Sequence, residues 1–424
     1  MKLEDLSKDE LARLHAVAQS DYLRLCEKQL SISMARGVPS KEQLELSNML
    51  LELPGIGDYL AEDGTDCRNY MGQQGLPEAR KLFAPLLGVP EAQVVVNGNS
   101  SLALMYDCLS FAMRNGVPGS SQPWHQEKEV KFLCPVPGYD RHFSLCEAFG
   151  IRLIPISMLD DGPDVDEVRS LVANDPSIKG MWCVPKYSNP TGAVYSDRVV
   201  QALASMSTAA RDFRLFWDDA YTVHHLTTED VQVKNIYEVG TDSGNPDRAL
   251  IFVSTSKITH AGSGLAMLGG SVDNIKWWLK HASVRSVGPD KISQLRHVRF
   301  IRNIDGLKTL MEDHRRLLKP RFDAVLEMLR AKLADYGFAQ WSDPKGGYFI
   351  SVNAYPGTAK HIVALTKAAG VQMTDAGACF PYGIDPLDRH LRIAPSSPSV
   401  SALRDASEVI CASILLAACE RRLG

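Results

Sequence analysis

A lysine closes the run Ile251-Phe252-Val253-Ser254-Thr255-Ser256-Lys257, an apolar strand that ends in small hydroxyl residues. An amine at the carboxyl end of a strand stands where open α/β sheets bind ligands. In isolation such a lysine is an ordinary solvated strand end, so its company decides the reading. Upstream, Trp217-Asp218-Asp219-Ala220-Tyr221 carries an apolar strand into two carboxylates and a phenol. Before that, Tyr187-Ser188-Asn189-Pro190-Thr191-Gly192 is a polar turn that follows another strand. Three strand ends thus offer an amide, a carboxylate with a phenol, and an amine. The set matches the needs of an aldehyde cofactor with a pyridine ring: an amine to form an imine, a carboxylate to keep the ring nitrogen protonated, and donors facing the ring hydroxyl.

Two further stretches add charge chemistry. Gly98-Asn99-Ser100 follows the strand of residues 93–96 and opens the helical run of residues 102–114, so backbone amides and the Ser100 hydroxyl can meet a phosphate at a helix N-terminus. Leu391-Arg392-Ile393 puts an arginine inside a short strand, where a half-buried guanidinium requires an acid, internal or brought by a ligand. Other candidates are weaker. His224-His225 has no third ligand at metal spacing and reads as a polar edge near the site. Gly262-Ser263-Gly264 follows the lysine rather than a first strand, which rejects a dinucleotide loop. Trp277-Trp278 reads as packing on a helix.

The elements that position these groups follow from pattern and length. With 424 residues, 45% of them hydrophobic, the chain can bury a large core and is expected to form one large and one smaller domain. Ser7 with Glu10 and Ser40 with Gln43 have capping-box spacing before helical periodicity, so the first fifty residues read as helical. From Glu91, apolar runs at 94–96, 130–133, 153–156, 181–184, 215–217 and 250–254 alternate with amphipathic helices, the pattern of a mostly parallel sheet covered by helices. After Ser286 come long helical patterns over 304–336, short strands near 347–352 and 391–393, and a C-terminal helix. The expected architecture is therefore α/β, with N-terminal helices over 1–50, a large domain over 51–300 and a small α+β domain over 301–424. A formal net charge of -4 without a basic block excludes an electrostatic grip on nucleic acid, and the charged start lacks a signal peptide's apolar core. No apolar run is long enough to span a bilayer, and nine cysteines without C-x-x-C spacing suit a reducing compartment, so the expected location is the cytoplasm.

The N-P-T-G, D-x-A-Y and S-x-S-K elements occur in the order and at separations comparable to those of fold-type I pyridoxal-phosphate aminotransferases, and the resemblance covers nearly the whole chain. The runs Cys134-Pro135-Val136-Pro137-Gly138-Tyr139-Asp140 and Gly98-Asn99-Ser100-Ser101 look like the subgroup labelled Ic, associated with aspartate aminotransferase. The resemblance implies a seven-stranded main sheet and pyridoxal 5'-phosphate held as a Schiff base by Lys257, which then serves as the proton-moving base. It assigns Asp218 to the pyridinium nitrogen, Asn189 and Tyr221 to the ring oxygen, Asn99, Ser100 and Ser254 to the phosphate, and Arg392, with Asn189, to the substrate carboxylate. Tyr70 is matched to a tyrosine that reaches the cofactor phosphate of the other subunit in a homodimer. Asp219 is left as a surface-turn residue and the glycine pair in Lys345-Gly346-Gly347-Tyr348 as structural. Two positions depart from the pattern: Val136 replaces a ring-stacking aromatic, for which Tyr139 is the nearest substitute, and Leu265 replaces the usual phosphate arginine, with His260 the nearest cation. The expected reaction passes an amino group from an L-amino acid, aspartate first, to a 2-oxo acid such as 2-oxoglutarate. An alanine or broad-specificity aminotransferase, a carbon-sulfur lyase and a non-catalytic effector-binding module are the alternatives. The partner of a second substrate carboxylate is left open between Lys291 and Arg296.

Overall fold

The structure, a computed structural model, describes residues 2–229 and 231–424; Met1 and Asp230 lie outside the described residues. The chain enters through two helices that start where their sequences predict. Ser7 accepts from the Glu10 amide while Glu10 accepts from the Ser7 amide, capping the helix Lys8–Cys26, and Ser40 with Gln43 does the same for Lys41–Glu45. Between them lies the two-residue strand β1 (Ile32–Ser33).

The main sheet is built from β2 (Val94–Val96), β3 (Lys131–Val136), β4 (Arg152–Leu159), β5 (Gly162–Pro163), β6 (Ile178–Cys183), β7 (Arg214–Asp218), β8 (Ala249–Ser254) and β9 (Ala266–Gly269). Their spatial order is β2-β9-β8-β7-β6-β3-β4-β5. Neighbours from β8 to β4 run parallel, whereas β9 is antiparallel to both β8 and β2. Every residue of β6, β7 and β8 is buried, without the alternation of a half-exposed strand, because helices cover both faces. One face packs Phe83, Val199, Leu203 and Leu215 in one apolar cluster; the other packs Leu104, Phe132, Trp182 and Phe252 in a second. The sheet has eight strands instead of the expected seven. The addition is β5, a Gly-Pro pair antiparallel to the end of β4 and too short to show any period; a proline without an amide hydrogen is tolerated at such an edge.

A second, smaller sheet joins β10 (Gln340–Trp341), β11 (Ile350–Asn353) and, after β12 (Val371–Gln372), β13 (His390–Ile393), in the antiparallel order β10-β11-β13. β12 pairs in parallel with β1, which brings the N-terminal segment against the C-terminal part of the chain. Helices Lys8–Cys26, Ile304–Leu333 and Val400–Leu423 pack around this sheet in a third apolar cluster. Among the described residues no helix is long and apolar enough to cross a membrane.

Candidate active site

The carboxyl ends of β3, β6, β7 and β8 and the turn after β2 open on one side of the main sheet, and a cavity of about 190 Å³ lies there. Register explains the convergence. Cys183 of β6 pairs with Trp217 of β7, and Asp218 of β7 pairs with Phe252 of β8, so these strands end within a residue or two of one another. Lys257, Asp218, Tyr221, Asn189, Ser254, Tyr139 and Ser100 all line the cavity, bringing together residues more than 150 positions apart in sequence.

Lys257 follows β8, and burial lowers its ammonium from the ordinary lysine value against the opposing pull of Asp218. Its Nζ lies 5.0 Å from the centre of the Tyr221 ring and 5.8 Å from that of Tyr348. The neighbouring backbone is held by a side-chain chain that begins in the second capping box. Gln43 Nε2 donates to Tyr348 Oη at 2.9 Å and meets His314 Nδ1 at 2.9 Å, while His314 Nε2 is 2.9 Å from the Ile258 carbonyl. Gly346 and Gly347 let the segment carrying Tyr348, just before β11, pass over Tyr187: a Cβ at Gly346 would lie 2.2 Å from that ring, and Gly347 has φ +86.

Asp218, at the end of β7, is buried. His142 Nε2 approaches its Oδ2 at 3.0 Å, and Oδ1 has no hydrogen-bond partner. Such an orphaned carboxylate oxygen, aimed into a cavity beside a buried amine, fits a cationic N–H from a bound ring. Tyr221 is buried and its phenol is pushed far up by burial. Tyr139 caps the helix Asp140–Ala148, and burial together with Asp218 pushes its phenol up to about 12.

The turn after β2 reaches its helix through Gly98, whose φ of +72 is the left-handed conformation that glycine adopts without strain. Ser100 is the N-cap of the helix Ser101–Asn115 but its side chain makes no capping hydrogen bond, which leaves the hydroxyl for the cavity. Ser101 and Ser256 line the cavity as well. Amides of a helix N-terminus with several hydroxyls form a cradle suited to a phosphate. Asn99 is not on the wall: it is exposed, and its Nδ2 donates to the Gly262 carbonyl at 3.2 Å. Leu265 is buried in the apolar core, and His260 Nε2 is engaged 3.1 Å from the Leu44 carbonyl, so neither replaces the other at the cradle. Lys257 is the one cation among the described lining residues.

Arg392 is buried in β13, with Nη1 2.8 Å from Asp140 Oδ1 and 3.4 Å from Asn189 Oδ1, and so reaches the cavity wall through Asn189. Tyr70 is 73% exposed and does not line the cavity of its own chain. Three expectations are corrected. Asp219 is not a surface-turn residue: it is largely buried, and burial raises its carboxyl to about 7. His224 is no polar edge, being fully buried against Tyr221 and Tyr348. Lys291 is spent on structure, donating to the carbonyls of Asn69 and Met71 at 2.7 and 2.8 Å.

His142, Ser101, Ser256 and Asp140 are the site residues that the sequence left without a role. His142 could have been found from its place three residues after Tyr139, one turn along the same helix.

This α/β architecture, with its cavity at the carboxyl ends of a mostly parallel sheet, is that of the aminotransferases of fold type I. An α-aminoadipate aminotransferase from Thermus thermophilus, crystallised with N-(5'-phosphopyridoxyl)-L-leucine, shares the fold at a TM-score of 0.74 and 17% identity over 93% of this chain and 94% of that one. The aspartate amino-transferase family profile matches residues 6–424, and the chain belongs to that family. An aspartate aminotransferase from Corynebacterium glutamicum is 46% identical over 99% of this chain and 97% of its own length. The crystal structure of an aspartate transaminase from the same organism superposes with a TM-score of 0.97, at 45% identity and 99% coverage of both chains. The protein is an aminotransferase, an enzyme of transamination.

Proposed function

We propose that this aminotransferase takes the amino group from an L-amino acid, aspartate by preference, and delivers it to a 2-oxo acid such as 2-oxoglutarate, using pyridoxal 5'-phosphate bound in the 190 Å³ cavity. The observation that carries the reading is the pairing, across one cavity, of the buried Lys257 amine with the unpartnered Asp218 Oδ1. When bound, the pyridoxal group supplies a carbonyl that accepts the amine and a ring that draws electrons from the substrate Cα.

The residues of the chain do the rest. Lys257 anchors the carbonyl carbon and later carries the proton from the substrate Cα, a task that suits an amine whose affinity for protons is lowered by burial. Asp218 holds a proton at the ring nitrogen, with His142 fixing the carboxylate's orientation. Asn189 and Tyr221, on the cavity wall, would hold the ring oxygen, and Tyr139, on the same wall, would serve in place of the aromatic absent at Val136. The helix N-terminus with Ser100, Ser254 and Ser256 holds the phosphate, and Arg392 holds the substrate α-carboxylate. Aspartate is favoured on the relative named aspartate aminotransferase, 46% identical over nearly the full length. A homodimer is part of the proposal, with Tyr70 reaching the site of the second copy. So is a cytoplasmic location, on the ground that all nine cysteines are free.

Borohydride reduction of the holoenzyme followed by peptide mapping tests the reading: the pyridoxyl mass is expected on Lys257 and is expected to vanish in Lys257→Ala. Attachment to another lysine would overturn it. A steady-state comparison of amino donors with 2-oxoglutarate then tests the preference for aspartate.

A further inference from the structure

A half-buried arginine in a strand requires an acid from inside the protein or from a ligand, and at Arg392 the structure supplies an internal one. Nη1 donates to Asp140 Oδ1 at 2.8 Å; the arginine side chain is 7% exposed and the aspartate side chain 33%. The remaining holds on the guanidinium are uncharged: Nε to Thr374 Oγ1 at 3.3 Å, Nη1 to Asn189 Oδ1 at 3.4 Å, and the Phe349 ring at 4.9 Å. Asp140 belongs to the first turn of the helix Asp140–Ala148, where unpaired amides favour a negative charge with or without the arginine. That helix packs on the main sheet, whereas Arg392 lies on β13 of the small sheet. The ion pair therefore joins the two sheets at the edge of the site.

We propose that Asp140 sets the affinity of the site by competing with the substrate α-carboxylate for Arg392, an inference that rests on the reading of Arg392 as the carboxylate clamp. A tethered carboxylate at hydrogen-bond distance neutralises the guanidinium at a high effective concentration. An entering carboxylate must share the arginine or displace Asp140, so its affinity is the difference between two similar ion pairs rather than the strength of one. Thr374, Asn189 and Phe349 keep the guanidinium in place when Asp140 is released, which makes the exchange cheap in orientation. The consequence is weaker retention of carboxylates, product included, by a clamp that stays ordered throughout.

Asp140→Asn removes the charge and keeps the shape. Succinate, an unreactive dicarboxylate, is expected to bind the variant holoenzyme roughly three- to tenfold more tightly than the parent in calorimetry, the range of a part-buried ion pair. KM for both substrates is expected to fall with it while kcat changes less, and Asp140→Glu should return affinity towards the parent. Arg392→Leu separates the two levels of the argument. If it binds succinate like the parent, the clamp reading fails and this proposal with it. If it loses succinate but Asp140→Asn binds no more tightly than the parent, the clamp stands and the competition is overturned, leaving Asp140 as an anchor. Should Asp140→Asn fail to fold, Asp140→Ser makes the same comparison.

Discussion

His142 Nε2 lies 3.0 Å from Asp218 Oδ2, and the imidazole is itself stacked on Trp182 at 4.2 Å between ring centres and 8° between planes. One carboxylate oxygen is thereby fixed by a ring that cannot rotate, and the other is left for the cavity. Asp218→Asn preserves the shape but cannot hold a proton on a ring nitrogen. It is expected to bind pyridoxal phosphate and to slow the reaction with an amino acid by roughly 10²- to 10⁴-fold in single-turnover absorbance measurements. A rate near the parent's would mean that another acid serves the ring.

The phosphate cradle is expected to work with neutral donors. Ser100→Ala and Ser256→Ala should each weaken cofactor binding by about one to two orders of magnitude in reconstitution of the apoenzyme, since a hydrogen bond to a charged group contributes about 1.5–3 kcal/mol. His260→Ala should leave it unchanged, because that imidazole is engaged with the Leu44 carbonyl. A loss confined to His260→Ala would reverse the assignment.

These residues also show what was legible in the sequence. Lys257, Asp218 and Asn189 stand at strand ends, where a strong apolar run stops at a polar group, and one chain shows that directly. β9 went unread because its apolar run, Leu265 to Leu268, is four residues between Gly264 and Gly269, a length at which periodicity carries nothing. Asp140 and Asp219 went unread for a different reason. Asp140 meets Arg392 and Asp219 lies near Lys186, each from a segment distant in sequence, and only the fold sets a carboxylate beside them.

Tyr70 is exposed in a loop whose backbone Lys291 holds on either side, through the carbonyls of Asn69 and Met71. If it completes the site of a second copy, mixing Tyr70→Phe-inactivated and Lys257→Ala subunits should regenerate about one intact site per hybrid dimer after exchange. Exchange without recovered activity, with each parent variant confirmed inactive, would place both residues in one chain's site or Tyr70 in none.

The carboxyl of Asp219 gives the protein a pH-dependent stability of predictable sign. Burial raises it to about 7; Asp218 adds to the rise, while Lys186 and Thr222 oppose it. In the unfolded chain an aspartate titrates near about 3.9. Below that value both states hold the proton and the group costs nothing. Between about 4 and about 7 the folded state keeps a proton that the unfolded state has lost, so stability falls as pH rises through this window and levels off above it. Asp219→Asn is neutral throughout and lacks the slope. In urea unfolding from about pH 5 to pH 8, the variant is expected to gain on the parent steadily up to about pH 7, with a constant gap beyond. A gap already constant from about pH 5 would show Asp219 ionised at the ordinary value, with Lys186 holding the charge in place against its burial.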